Sequence, residues 1–149
     1  RNITLCFDAM KNKSLTLEHR EKLLYASMLA GMVIAQTGTT IVHSMGYSLT
    51  YFKGADHGRA NGLLLPAFLE FIAASDSKAI NNILSLMKLK TVDEFRTIID
   101  ILLGEKEQVT SHDIAGYIKK VKQKSIENCI ITPDDEDITN IYKKSFGLK

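Results

Sequence analysis

Apolar residues recur along most of this chain at the three-and-four spacing of a helix, and nowhere do they hold a period of two between hairpin turns. Residues 23–35 (LLYASMLAGMVIA) are apolar on nearly every side. That pattern predicts a helix enclosed at the centre of the domain rather than one lying on its surface. Its small residues, Ala26, Ser27, Ala30, Gly31 and Ala35, would let neighbouring backbones come close. Near the C-terminus Ile138, Ile141, Tyr142 and Phe146 mark one stripe of another helix.

Start signals divide the pattern into elements. Thr16 precedes a long segment from Leu17 to about Gln36, with Glu18 and Glu21 in early turns where the helix dipole favours acids. Thr91-Val92-Asp93-Glu94 reads as a capping box, and Thr110 with Asp113 as a weaker one. Thr132-Pro133-Asp134-Asp135-Glu136 predicts a cap, a proline at the first helical position and acids behind it. Together these signals predict an all-α fold of about eight helices in one domain, residues 1–149. The first residue is Arg1, within sequence that already reads as helical (Ile3, Leu5, Phe7, Met10), which suggests a piece of something longer.

Composition narrows the function classes. Nineteen basic residues against seventeen acidic ones leave a net charge of +2, too balanced for a nucleic-acid or membrane partner. The Lys119, Lys120, Lys122, Lys124 cluster reads as the solvated side of a helix. Cys6 and Cys129 are far apart and form no CxxC motif, so they read as reduced, partly buried thiols of a cytoplasmic protein. No signal peptide or spanning helix is visible.

The chemistry concentrates in Gly38–Pro66, GTTIVHSMGYSLTYFKGADHGRANGLLLP. Gly38 ends one helix and Thr39-Thr40 caps the next, which carries His43 and Tyr47 four apart on one face. Lys53-Gly54-Ala55-Asp56 reads as a loop, with Asp56 a cap that sets His57 in the first turn of a further helix. There the positive end of the dipole favours the neutral imidazole, the form that ligates metals. Spacing alone leaves a bland alternative open, because a lone histidine on an apolar helix is more often a hydrogen-bonded core residue. Gly54, Gly58 and Gly62 form no dinucleotide fingerprint, since no strand precedes them, and two histidines fall short of a complete metal site.

VHSMGYSLTYFKGADHGRANGLLLP resembles the signature of iron-containing (group III) alcohol dehydrogenases. In that pattern a helix carries one ligand histidine, a glycine-rich loop follows, and a second histidine opens an HGxAN element running into an apolar helix with a proline. The two histidines lie fourteen apart in the family and here. REKLLYASMLAGMVIAQTGTT is similar to the family's preceding helix, so the resemblance covers roughly Leu17–Phe71 strongly and the remainder weakly. It implies the family's C-terminal helical domain, of the dehydroquinate synthase-like kind, with His43 and His57 as metal ligands. For the whole enzyme it implies interconversion of alcohols and aldehydes, with Fe²⁺ or Zn²⁺ polarising the substrate oxygen and NAD(P) carrying hydride.

Two departures qualify the match. Tyr47 stands where many relatives carry a further histidine, and Asp8 followed by Asn12 does not supply the family's DxxxH pair. The expected remainder is therefore an N-terminal nucleotide-binding domain outside this chain, without which the chain is expected to be inactive, bind no cofactor tightly and possess a face open to self-association. Tyr47 as a catalytic residue and Phe52 as a cofactor-binding residue are expected to face the cleft, with core aromatics as the open alternative. Two rival readings remain. One is a non-catalytic helical interaction domain with structural histidines in separate environments. The other is a self-contained metal-binding bundle drawing on His19, His112 or Asp56.

Overall fold

A computed structural model describes residues 2–121 and 123–148, so Lys122 of the lysine cluster and the two terminal residues lie outside it. Nine α-helices and no strand are found among the described residues. After a 3-10 turn (Thr4–Cys6) come α1 (Phe7–Lys11), α2 (Leu17–Thr37), α3 (Ile41–Lys53), α4 (His57–Ser75) and α5 (Ser77–Leu86). Then follow α6 (Val92–Leu103), α7 (Ser111–Ile118), α8 (Gln123–Glu127) and α9 (Asp135–Phe146). The all-α expectation holds, with one short helix more than the spacing predicts.

The enclosed helix is α4, not α2. It packs on α3, α5, α6 and α9, and buries Ala60, Leu63, Leu64, Pro66, Ala67, Phe68, Leu69 and Ile72. Tyr142 of α9 reaches under this layer, fully buried, and its hydroxyl donates to Met45 O at 2.8 Å. Pro66 inside α4 has no N–H to donate, which leaves the Gly62 carbonyl without its usual helical partner.

The central position predicted for α2 is overturned, because it contains no buried residue. Leu24 is 73% exposed, Met32 55% and Val33 59%. The cause is local geometry. Gly38 turns at φ +71°, Thr40 is extended, and the axes of α2 and α3 meet at 111°. The chain therefore swings away, and the only substantial neighbour of α2 among the described residues is the N-terminal 3-10 turn. His19, Lys22, Leu23 and Ala26 are half-buried there, with Cys6 Sγ donating to His19 O. From Ser27 onward every residue of the helix is exposed. No single helix among the described residues is long and apolar enough to cross a membrane.

Caps largely follow the sequence signals. Thr16, Thr91 and Thr110 each accept the backbone N–H three residues on, and the Thr110–Asp113 box is reciprocal, hence stronger than expected. Several expectations differ. Thr40 and Asp56 hold the N-cap positions of α3 and α4 but their side chains cap nothing, and the Thr91 box is not closed, because Glu94 accepts from Lys90 N instead. At the C-terminus Asp134, not Thr132, is the cap of α9, paired reciprocally with Asp137, and Pro133 lies outside the helix. Aspartate competes well with threonine for this role, and the sequence offered both. Lys119 and Lys120 fall in the turn after α7 rather than along a helix face, exposed as expected.

Candidate metal centre

The loop between α3 and α4 decides where the histidines meet. Gly54 ends α3 in the left-handed region at φ +68°, a conformation cheap only for glycine, and Ala55 buries behind it. The chain reverses within three residues, so α3 and α4 pack side by side. His43 sits one turn into α3, and His57 is the first residue of α4. Across the seam His43 Nδ1 and His57 Nε2 lie 3.0 Å apart. The separate environments required by purely structural histidines do not describe this arrangement.

Two nitrogens each bound to one ion at about 2.0–2.1 Å would subtend roughly 95° at 3.0 Å separation, a normal angle between adjacent ligands. Without an ion the same contact is a hydrogen bond in which one ring donates and the other accepts. Burial, with the neighbouring His57 second, holds the His43 pKa below the ordinary imidazole value. The neutral, ligating form is thereby favoured. The donor set thus fits a borderline divalent ion, as half a site: no group of three or more His, Cys, Asp or Glu side chains converges among the described residues. The self-contained bundle loses its extra ligands accordingly. His19 Nδ1 is engaged with Thr16 at 2.9 Å as part of the α2 cap, and His112 and Asp56 are exposed.

Tyr47 and Phe52 are not core aromatics, being 50% and 51% exposed. Tyr47 stacks on the His57 ring, centroids 5.0 Å apart and planes within 15°. With Ser44, Ser48, Tyr51, Phe52 and Lys120 it lines an open cavity of about 630 Å³ beside the histidines. Phe52 also stacks on the buried Tyr117, whose hydroxyl pKa is pushed up to about 12 by burial and then by Asp113. Lys53, closing α3, ion-pairs with Asp113 at 3.1 Å and so ties α7 to this wall. The opposite flank is tied by Arg59, which pairs with Glu107 at 2.6 Å and donates to the Leu103 and Glu105 carbonyls. Both cysteines are free and buried, and burial pushes the Cys129 thiol up, away from reactivity.

Two residues of the site escape the spacing argument. Asn61 Nδ2 stands 3.1 Å from His57 Nε2, and Gly46 on α3 presses against the Asn61 amide. The available signal was positional: Asn61 lies four residues after His57, and Gly46 three after His43, each on its histidine's side of a helix.

Residues 2–146 match the Fe-containing alcohol dehydrogenase family, C-terminal part. The chain is 34% identical over 71 residues to a 1,3-propanediol dehydrogenase of Klebsiella pneumoniae, covering 48% of this chain and 18% of that protein. It is 38% identical over 55 residues to the probable alcohol dehydrogenase EutG of Escherichia coli, covering 37% and 14%. Among solved structures, an iron-containing alcohol dehydrogenase of Thermotoga maritima superposes with a TM-score of 0.80 at 33% identity, over 99% of this chain and 43% of that one. A second iron-containing alcohol dehydrogenase gives 0.79 at 33% identity with the same coverage. The chain thus spans less than half the length of each of these relatives.

Proposed function

Since the chain belongs to the Fe-containing alcohol dehydrogenase family as its C-terminal domain, we propose that it contributes the helical half of a metal-dependent alcohol dehydrogenase active site. The observation that carries this reading is the 3.0 Å convergence of His43 Nδ1 and His57 Nε2 from two different helices. A divalent iron or zinc ion would supply Lewis-acid polarisation of an alcohol oxygen, and NAD(P) a hydride acceptor, neither of which a side chain offers.

The chain's own residues do the rest. His43 and His57 hold two adjacent coordination positions, and the lowered pKa of His43 keeps its lone pair available near neutral pH. Tyr47 covers one face of the His57 ring and presents a half-exposed phenol beside it, suited to hydrogen-bond a substrate hydroxyl or pass a proton. Phe52 forms an apolar wall of the neighbouring cavity, suited to a nicotinamide ring or an alkyl chain. The remaining ligands and the pyrophosphate cradle belong to protein outside this chain, in a cytoplasmic enzyme. The exposed apolar flank of α2 is where that protein would dock; in the isolated chain it would pair copies instead.

A chimera tests this reading. Joined to the N-terminal portion of the Thermotoga maritima relative, the chain should give metal-dependent reduction of NAD(P)⁺ by a small alcohol, and alone it should give none. His43→Ala or His57→Ala in the chimera should abolish metal retention and turnover together. Turnover by the isolated chain, or full metal retention after either substitution, would overturn the reading.

A further inference from the structure

The histidine pair is aimed by something other than itself. The His57 ring hydrogen-bonds only to His43 and Asn61 among the described residues, and its second nitrogen, Nδ1, is buried with no partner there. Tyr47 stacks on one face, but stacking is met equally well by a ring flipped 180° about its Cβ–Cγ bond. The contact with an amide 3.1 Å from Nε2 is not. We propose that Asn61, lodged against Gly46, is the positioning residue that holds the His57 ring with Nε2 turned toward His43.

Gly46 makes this possible by what it lacks. A Cβ there would overlap Asn61 Oδ1. The glycine serves no backbone need, since positive φ is confined to Gly38, Gly54, Gly104 and Gly147 among the glycines. A glycine inside a helix lowers stability relative to alanine, so its presence in buried α3 marks a contact that requires the space. The α3–α4 seam is thus drawn tight at the point where Asn61 and Gly46 meet, one turn from both histidines. Asn61 Oδ1 is itself buried without a partner, so the amide is held by packing and by the ring it orients.

The consequence for metal rests on the ligand reading above; the ring orientation does not, and the two are tested separately. The ring nitrogens of ¹⁵N-histidine-labelled chain report the tautomer of His57 without metal, and cross-ring proton contacts report its orientation. Wild type should show one tautomer and contact with His43. Asn61→Ala should keep its melting temperature within a few degrees, yet show mixed tautomers and a weakened inter-ring contact. Gly46→Ala should act in the same direction; should it fail to fold, Asn61→Ala decides alone. Because Asn61 engages Nε2 itself, it must release that lone pair to an ion, so a Zn²⁺ titration of wild type and Asn61→Ala reads the ligand role of the ring and not its positioning. Release of the ring with no Zn²⁺ binding by any form would uphold the positioning role while removing the ligand reading. An Asn61→Ala chain with one tautomer and an intact inter-ring contact would overturn the proposal.

Discussion

Helices α2 and α4 are nearly the same length, 21 and 19 residues, and each carries a long apolar run, yet their situations are opposite. α4 is wrapped by four neighbours and presents His57 from its first turn; α2 leaves the body at Gly38 and shows Leu24, Met32 and Val33 to solvent. An apolar surface is a requirement for cover and carries no information about what supplies it. For α4 the cover is in the same chain. Among the described residues α2 is covered by little beyond the N-terminal 3-10 turn, in a chain that spans 43% of the solved relatives it superposes on.

Covering α2 should have the largest effect. Fully burying a large apolar side chain contributes about 1.5–3 kcal/mol, so four or five on α2 represent roughly 10 kcal/mol of gross stabilisation. The chimera should therefore melt well above the isolated chain, and amides of residues 27–37 should pass from rapid to slow hydrogen exchange. Equal exchange of α2 and α4 in the isolated chain would break the comparison. Single truncations sharpen it at intermediate scale. Leu64→Ala, in the packed middle of α4, should cost about 2–5 kcal/mol in urea unfolding. Met28→Ala on α2 should stay within about 0.5 kcal/mol, while Met28→Lys should reduce self-association in sedimentation without lowering stability.

A smaller effect than at Leu64 is expected at the α7 cap that braces α3 through Lys53. Thr110→Ala should cost about 1 kcal/mol near pH 7. The Asp113 carboxyl is held below the ordinary aspartate value by the Thr110 backbone N–H first, then by Lys53 and the Thr110 hydroxyl. A depressed carboxyl contributes its full stability above its unfolded pKa, about 3.9, and loses it as pH falls through the lower folded value. The difference between wild type and Thr110→Ala should accordingly narrow below about pH 4.

Legibility in the sequence followed how local the cause was. The Thr16, Thr91 and Thr110 caps are set within one helical turn and are readable, whereas the His43–His57 convergence followed only from the family resemblance, since spacing alone left structural histidines open. The α9 cap slipped two residues because Thr132 and Asp134 are both good caps and local pattern cannot rank them. Placement of α2 depended on the φ of Gly38, which turns the helix away from the body, so its apolar sequence pointed to the wrong environment. Asn61 closes the HGxAN element and Gly46 lies on the His43 side of α3, but their role is a contact between helices, fixed by a missing Cβ on one and an amide on the other, and that contact was not legible in either residue.

A Zn²⁺ titration of the isolated, ¹⁵N-histidine-labelled chain tests the convergence of His43 and His57 most directly. The account predicts one ion per chain, ring signals of both histidines shifting along the same curve, no change at His19 or His112, and loss of binding in either His43→Ala or His57→Ala. Response of only one of the two rings, or unaltered binding after either substitution, would contradict it.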